Sequence, residues 1–331
     1  MGEILRPSQG NRFITGGCTG YLSIKEWIKQ DLTAANIGTA IHKESELYFK
    51  GELSLEEVSD KARAYVTYLD SFHKIYKGYM RIEQRVEITD LCYGTADAVL
   101  FSIKKNYLHV FDLKTGQAKV DPKCPQLKIY ALGAWLRYRD KMPFLTHVEV
   151  TIFQYDKPYT HTWSIHDLED LNTHIKQLTL EVQSKLYRFN ATDIGCQYCP
   201  HIYTCAAAIE KFNHDVETLN DETLDLDERI ESAMSVKSVA EKFLTAVKAM
   251  MTSGNFNSEG FDLKFRRGAY AWTNEEAVLS LLKEKYDLNE KDVFNHSMLS
   301  PAKLKKLVDL EAADIQGYLK RKEGTYYLNK K

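Results

Sequence analysis

The chain has 331 residues, 44% of them hydrophobic and 27% charged, which is enough apolar material for a large core and for two domains. Its formal net charge of −2 excludes a global basic field, so binding to nucleic acid would need a local basic groove. The sequence contains no run of about 18 apolar residues and begins without a signal-peptide pattern, so we expect a cytoplasmic protein with no membrane partner. In that compartment the six cysteines are expected to be metal ligands or core residues rather than disulfides.

The first half of the chain predicts two helices and then three strands. Helical spacing of apolar residues is present in NIGTAIHKESELYFKGE, which carries His42 and ends near Gly51. A second helix is predicted through SLEEVSDKARAYVTYLDSFHKIY, where Ser54 and Glu57 match a capping box. Strands are predicted in YMRIEQRVEIT, CYGTADAVLFSI and YLHVFDLKTG, and KKN forms a hairpin turn between the last two.

The second half continues this pattern and then changes character. A helix, two strands and a long helix are predicted in PQLKIYALGAWLRYR, HVEVTIFQY, YTHTWSI and IHDLEDLNTHIKQLTLEVQSKLYRF. Beyond about residue 215 the chain becomes acidic and then helical, with Thr273 and Glu276 matching a capping box. We therefore predict a first domain of residues 1–214 and a mainly helical C-terminal module of residues 215–331.

Two carboxylates and a lysine are predicted to meet where neighbouring strands end. Asp112 and Lys114 are two residues apart on one strand, so their side chains point the same way, and the hairpin brings Asp97 close to them. Carboxylates are preferred ligands of Mg²⁺ and Mn²⁺, which stabilise the attacking and leaving oxygens of phosphodiester hydrolysis. A lysine beside such an ion can position the attacking water and offset phosphate charge. Taken alone, Asp112 and Lys114 also fit a surface ion pair. Glu83 and Glu87 lie on the preceding strand, and Glu87 fits a solvated strand face better than assistance to a second metal.

The order of these residues resembles the PD-(D/E)XK nuclease superfamily and, within it, the RecB-like branch. The stretch GTAIHKESE resembles the upstream helix of that branch with its metal-ligand histidine, and PQLKIY resembles its Gln-x-x-x-Tyr element. Leu113 departs from the usual aromatic residue in the middle of the Asp-x-Lys motif. The resemblance implies an α/β, restriction-endonuclease-like core with a mixed central sheet flanked by helices. The implied metal ligands are His42, Asp97, Asp112 and the backbone carbonyl of Leu113, and the implied catalytic residues are Asp97, Asp112, Lys114, Gln126 and Tyr130.

Three cysteines, Cys196, Cys199 and Cys205, lie within ten residues, too close together for a natural set of disulfides. A tetrahedral zinc site or a [4Fe–4S] cluster requires a fourth ligand, and Cys18 is the best candidate. This arrangement resembles the iron–sulfur nucleases of the RecB-like branch, namely AddB-type helicase–nucleases and CRISPR-associated RecB-like nucleases, which place one cysteine before the core and three after it. The resemblance implies a structural [4Fe–4S] cluster that joins the two ends of the nuclease domain. Zinc is the alternative, with His201 as a substitute ligand.

Basic residues near the motif strand and in the tail are candidates for contact with DNA. Lys119 and Lys123 follow the Asp-x-Lys strand, and Arg266 and Arg267 lie beside aromatic residues in KFRRGAYAW. Basic groups can bind phosphates, while aromatic rings stack on bases. The alternatives are a solvated loop for the lysines and a strand with its side chains in water for the arginines.

The tail from KFRRGAYAW to SPAKLKKLV resembles the C-terminal part of an uncharacterised phage and prophage family with a RecB-like core. Together the resemblances imply a Mg²⁺- or Mn²⁺-dependent DNA exonuclease, encoded by a phage and acting in the host cytoplasm in recombination, replication or DNA end processing. The implied substrate is linear double- or single-stranded DNA, with a phage single-strand-annealing or replication protein as a partner and a homo-oligomer as the assembly. The alternatives are a non-catalytic nucleic-acid-binding or assembly factor on a nuclease fold and a single-strand-specific endonuclease.

Overall fold

The computed structural model describes residues 4–24, 33–116, 118–196, 199, 201–202, 204–252, 254, 256–288, 290–295, 297–298, 300–304, 313–322 and 324–330. The chain divides into two compact units, Met1–Ala246 and Val247–Lys331. In the described part of the chain, none of the helices combines the length and the apolar character that a membrane span requires.

A five-stranded mixed sheet forms the centre of the first unit. Its strands, in the order in which they lie across the sheet, are β1 (Tyr79–Glu87), β2 (Tyr93–Ser102), β3 (Tyr107–Leu113), β4 (His147–Gln154) and β5 (Lys157–Ser164). β3 and β4 are parallel, and the other neighbouring pairs are antiparallel. Each strand coincides with a segment predicted to be a strand, and β3 is buried along its whole length because it lies in the middle of the sheet.

Helices cover both faces of this sheet. The helices α1 (Thr33–Phe49) and α2 (Asp60–Tyr76) pack on one face, where Ile41 and Leu69 join a core with Phe111 of β3. On the other face lie α3 (Pro125–Tyr138) and α4 (Ile165–Gln183), whose apolar side chains share a core with Val110 and Val150. α3 is also the crossover that parallel neighbours such as β3 and β4 require. The predicted mixed α/β class, a central sheet flanked by helices, is confirmed.

The start of α2 differs from the prediction. The predicted capping pair forms a turn instead, in which the Ser54 N–H donates to a Glu57 carboxylate oxygen at 2.7 Å. The helix begins at Asp60, where the Ser59 side chain accepts a hydrogen bond from the Ala62 N–H. The buried side chain of Val58 separates the two polar pairs, so the chain enters the core before it turns into the helix.

The first unit extends further than the predicted domain boundary between residues 214 and 215. After the short helix α5 (Asp193–Cys196) come α6 (Ala206–Asn220) and α7 (Leu226–Thr252). The Lys211 ammonium of α6 lies 2.6 Å from Asp215 Oδ2, 2.8 Å from Ser235 Oγ of α7 and 3.4 Å from Asp193 Oδ1 of α5. Because Ser235 also donates to Asp215 at 2.6 Å, this network, which is buried at Asp215 and Ser235, joins the three helices and keeps most of α7 in the first unit.

The second unit has a small core of its own and contains strand pairs as well as helices. The strand β6 (Phe261–Arg266) pairs antiparallel with β11 (Thr325–Lys330), and β7 (Tyr270–Trp272) pairs antiparallel with β10 (Leu319–Arg321). Asn274 rather than Thr273 caps its longest described helix, because the Asn274 side chain accepts from the Ala277 N–H. Its elements are β6 (Phe261–Arg266), β7 (Tyr270–Trp272), α8 (Glu275–Tyr286), α9 (Glu290–Val293), β8 (Phe294–Asn295), β9 (Ser297–Met298), α10 (Pro301–Leu304), α11 (Ala313–Gln316), β10 (Leu319–Arg321) and β11 (Thr325–Lys330).

A buried polar network lies between α2 and the sheet. The His109 ring, which is fully buried, contacts Tyr107 Oη at 2.6 Å through Nδ1 and Thr151 Oγ1 at 2.7 Å through Nε2. Tyr107 also donates to Glu149 at 2.8 Å, and the ring of Phe111 stacks on His109 at 3.9 Å. Burial lowers the pKa of His109 to about 3, so this imidazole is neutral in the folded protein.

We expect His109 to make the stability of the fold depend on pH. Its folded pKa of about 3 lies below the unfolded value of about 6.5, so the unfolded chain binds one more proton between these values. The stabilisation is complete above about pH 6.5 and is lost as pH falls towards 3. Between pH 7.5 and pH 5 this loss amounts to about 2 kcal/mol, which urea unfolding at the two pH values will measure.

The matched variants are His109→Gln and His166→Gln, the latter changing an exposed histidine of α4. The fall in unfolding free energy should be smaller in the His109 variant and unchanged in the His166 variant. An equal fall in the wild type and in His109→Gln would contradict the assignment.

Candidate functional site

Asp97 of β2 contacts both the helix α1 and the strand β3. Its Oδ1 lies 3.2 Å from Nδ1 of His42, which α1 carries, and its Oδ2 accepts a 2.7 Å hydrogen bond from the Leu113 N–H of β3. Burial lowers the pKa of His42, but the hydrogen bond to Asp97 and the charges of Asp97 and Asp112 outweigh this effect, so the pKa is raised overall. The predicted metal-ligand histidine and the predicted carboxylate of the hairpin are therefore in contact.

Glu83 of β1 joins this pair. One ligand atom from each of His42, Glu83 and Asp97 lies within 4.8 Å of the other two. Partial burial and the nearby Asp97 carboxylate raise the pKa of Glu83. Glu83 is not among the metal ligands that the sequence predicts. Its side chain is exposed, and the structure adds it to the candidate ligands. The signal that could have identified it is the hairpin register, because the pairs on either side, Ile82 with Ala98 and Gln84 with Ala96, put Glu83 opposite Asp97.

The backbone of β1 changes at Glu83, which has a φ of +49°. This left-handed conformation is uncommon for any residue other than glycine and rare inside a strand. On its two sides, even-numbered residues face different cores: Ile82 packs towards α1 and α2, whereas Val86 packs towards α3 and α4. The normal alternation of side chains is therefore interrupted at this residue, beside the candidate metal site.

Asp112 and Lys114 form a second part of the site, on the α3 side of β3. The Lys114 ammonium lies 2.7 Å from Asp112 Oδ2 and donates to Gln126 Oε1 at 3.0 Å. The Gln126 amide in turn donates to Tyr130 Oη at 3.3 Å and approaches Asp112 Oδ1 at 3.5 Å. Burial raises the pKa of Asp112, and the Asp112 charge raises the pKa of Lys114 against the effect of its own burial. The predicted Asp-x-Lys and Gln-x-x-x-Tyr residues thus form one hydrogen-bonded group.

Leu113 lies between these two parts. Its side chain is buried in the core under α1 and α2, as expected for the middle residue of the motif, and its backbone N–H contacts Asp97. The parallel pairing continues one residue further, because the Lys114 N–H donates to the Phe153 carbonyl at 2.9 Å. The position of Lys114 is therefore set by both neighbouring strands.

Basic residues line the same side of the sheet. The Lys119 ammonium lies 5.0 Å from the centre of the Tyr159 ring of β5, and Lys128 of α3 lies 4.5 Å from the Trp163 ring. Lys123 is exposed in the loop just before α3, and its charge contributes to a lowered pKa of His161, for which burial is the larger cause. The other predicted basic pair, Arg266 and Arg267, is exposed and belongs to the second compact unit, where Arg266 lies over Tyr327 at 5.1 Å.

The four cysteines that the sequence selects line one cavity. All four are free thiols with intermediate exposure. Burial raises the pKa of Cys196, and the other three thiols raise it further because they are close to it. The residues Arg12, Tyr21, Asn190 and His201 line the cavity with Cys18, Cys196, Cys199 and Cys205. The buried Tyr21 hydroxyl has no hydrogen-bond partner among the described residues.

A close contact between two glycines brings Cys18 to the other three cysteines. A single π-helical turn, Asn11–Thr15, ends at Gly16, and the Cys18 N–H donates back to the Arg12 carbonyl at 2.8 Å. A Cβ atom at Gly195 of α5 would lie 3.1 Å from the Gly16 Cα and 2.7 Å from the Thr192 hydroxyl. Only glycine allows the N-terminal segment to approach α5 this closely.

Comparison with known families assigns the chain to one of them. A family model described as "Protein of unknown function (DUF2800)" matches residues 21–329. The chain belongs to this family. It is also similar to a solved structure titled "Crystal structure of SSO0001", with 12% sequence identity over 62% of this chain and 87% of that chain and a TM-score of 0.30. A similarity at this TM-score adds no argument about fold or function.

We expect Gly195→Ala to destabilise the first unit by about 1–3 kcal/mol, because the added methyl group overpacks the contact with Gly16. The urea-unfolding midpoint measures this effect. The matched control is Gly116→Ala, since a Cβ at Gly116 meets no atom within 4 Å. Equal unfolding midpoints for the two variants would show that the close approach is not required.

Proposed function

We propose that the chain is a metal-dependent DNA exonuclease with a RecB-like core of the PD-(D/E)XK type. One observation supports this proposal most directly: Asp97 contacts His42 and lies beside the Asp112–Lys114 pair on the adjoining strand. A carboxylate that contacts an imidazole and lies beside an acid–lysine pair fits what phosphodiester hydrolysis needs, which is an ion site next to a fixed ammonium group.

The donor set fits a hard divalent ion. Carboxylate oxygens suit Mg²⁺ and Mn²⁺, and an additional imidazole is compatible with Mn²⁺. His42 and Asp97 would hold the ion, with Asp112 and the Leu113 carbonyl as the further ligands that the family resemblance implies. A bound Mg²⁺ or Mn²⁺ would supply Lewis-acid stabilisation of the negative charge on the phosphate.

The remaining residues of the site hold and orient a cation. Lys114 stays protonated because of its ion pair with the buried carboxylate of Asp112, so it can offset phosphate charge and orient a water. Gln126 accepts from Lys114 and donates to Tyr130, so α3 fixes the direction of the ammonium group. Correct orientation contributes to the rate because the reacting groups do not need to be reorganised.

A local basic surface supports DNA as the substrate despite the net charge of −2. Tyr159, His161 and Trp163 alternate along β5 and share one face of the sheet edge, where Lys119 and Lys128 cover two of the rings. Ammonium groups that rest on aromatic rings can move onto phosphates, and partly exposed rings such as that of Tyr159 can stack on unpaired bases. We place the activity in phage recombination, replication or DNA end processing in the host cytoplasm, as the resemblance of the tail implies.

The cysteine cavity is proposed to hold a [4Fe–4S] cluster. The placement of one cysteine before the core and three after it, all lining this cavity, supports a cluster as the family resemblance implies, and zinc is the alternative. The Tyr21 hydroxyl, unpartnered among the described residues, lines the same cavity and would face a group that fills it.

We expect Asp112→Ala and Lys114→Ala each to reduce Mg²⁺-dependent cleavage of end-labelled linear DNA by at least about 100-fold, because each removes part of the group that stabilises charge. The assay compares linear, circular, single-stranded and double-stranded substrates with Mg²⁺ and with Mn²⁺. An exonuclease would leave the circular substrates intact.

The matched control is Glu87→Gln, which changes an exposed carboxylate of the same sheet that pairs with Arg85. It should cleave at the wild-type rate. Full activity of folded Asp112→Ala would remove the proposed mechanism. DNA binding without cleavage by the wild type under any of these conditions would favour the non-catalytic alternative.

Protein purified without air is expected to be brown, with broad absorbance near roughly 400 nm from iron–sulfur charge transfer. Cys18→Ser and Cys196→Ser should each lose this absorbance, whereas Cys124→Ser, which changes the residue before α3, should retain it. Colourless wild-type protein that contains stoichiometric zinc would contradict the cluster.

A further inference from the structure

We propose that His42, Glu83 and Asp97 bind one divalent cation and that the hydroxyl oxygen of Tyr65 accepts a hydrogen bond from a water bound to that ion. This inference rests on the proposed function, because it concerns the same site. It adds one ligand and one positioning residue that neither the sequence pattern nor the family resemblance supplies, and ion binding can be measured without DNA.

The three donors are close enough to share an ion. Their ligand atoms all lie within 4.8 Å of one another, on α1, β1 and β2. At metal–oxygen distances of about 2.0–2.1 Å, ligands of an octahedral ion lie about 3 Å apart when adjacent and about 4 Å apart when opposite. Small side-chain rotations therefore suffice to bring the imidazole and the two carboxylates into coordination distance.

Glu83 is directed to this position by its backbone. It lies opposite Asp97 in the hairpin and has the left-handed φ of +49° at the point where β1 exchanges the faces of its side chains. A glutamate gains nothing locally from this conformation, which persists only where the surrounding structure imposes it. The result is a carboxylate that is open to solvent on one side and close to His42 and Asp97 on the other.

Tyr65 provides the independent observation that points to a ligand. This residue of α2 is 2% exposed, and its hydroxyl has no hydrogen-bond partner among the residues that the structure describes. It lines the same pocket as His42, Glu83 and Asp97. A buried hydroxyl without a partner is unfavourable, and nearly all such groups in folded proteins are satisfied by protein or by ordered water. A water in the coordination sphere of an ion held by the three donors would satisfy it.

In this arrangement the acidic residues have different roles, because Glu83 and Asp97 bind the ion while Asp112 pairs with Lys114. The Lys114 ammonium lies 2.7 Å from Asp112 Oδ2 and offsets the charge of this carboxylate, so Asp112 as a further ligand would add little net negative charge to the ion site. Glu83 supplies a second full carboxylate from the opposite side of Asp97. The ion site can therefore form while the Asp112–Lys114 pair stays intact for the substrate.

The test is a titration with Mn²⁺ alone, followed by electron paramagnetic resonance of free Mn²⁺ and by calorimetry. Glu83→Gln should bind Mn²⁺ at least about 10-fold more weakly than the wild type, since it keeps the shape of the side chain and removes its charge. Glu87→Gln, the matched change four residues along the same strand, should bind as the wild type does. Equal Mn²⁺ affinity in Glu83→Gln and the wild type would overturn the assignment of Glu83.

Tyr65→Phe tests the positioning residue through two melting temperatures, one without metal and one with Mn²⁺. A purely structural hydroxyl would not produce the pair of changes that we expect. Without metal, the variant should melt at the same temperature as the wild type or higher, because an unsatisfied buried hydroxyl has been removed. The rise in melting temperature that saturating Mn²⁺ produces should be smaller than in the wild type. A lower metal-free melting temperature with an unchanged Mn²⁺-induced rise would overturn the role of Tyr65.

The two proposals fail separately. If Glu83→Gln loses Mn²⁺ affinity but the wild type cleaves no DNA, the ion site stands and the nuclease function does not. If the wild type cleaves DNA and Glu83→Gln keeps wild-type Mn²⁺ affinity, the nuclease function stands and the ligand assignment does not.

Discussion

The candidate site depends on the two contacts of one carboxylate. Asp97 Oδ2 accepts a 2.7 Å hydrogen bond from the Leu113 N–H, and Asp97 Oδ1 lies 3.2 Å from His42 Nδ1. A single side chain therefore connects β2 to β3 and to α1. Neither contact is strong alone, since a typical hydrogen bond contributes about 1 kcal/mol net to stability. Their value is geometric, because they hold the helix that carries the histidine against the strands that carry the acids.

Several features of the site also lower the stability of the folded protein. A carboxylate that is 2% exposed, Asp112, faces the ammonium of Lys114 in the interior, where desolvation opposes the Coulomb attraction between them. Gln126 accepts from Lys114 and donates to Tyr130, and these are polar contacts that a hydrophobic core would not need. On the other side of Asp97, Glu83 takes up a strained backbone conformation and Tyr65 has no hydrogen-bond partner among the described residues. Unfavourable features that collect in one place are typical of a functional site.

Much of the first unit can be predicted from local sequence, because turn residues bound its apolar strand segments and because the Asp-x-Lys and Gln-x-x-x-Tyr spacings are short. The conformation of Glu83 could not be predicted from the sequence, since nothing in the local sequence distinguishes a glutamate in a left-handed conformation from one on a solvated strand. The start of α2 at Asp60 depends on the burial of Val58, and the extent of the first unit depends on contacts between Lys211 and Ser235. These are tertiary effects that no local pattern records.

The most direct test of a shared ion site is diffraction from crystals grown with Mn²⁺, with data collected at a wavelength where manganese scatters anomalously. We expect an anomalous peak within coordination distance of both the His42 imidazole and the Asp97 carboxylate. A structure in which Mn²⁺ binds only elsewhere, while these two side chains keep their direct contact, would contradict it.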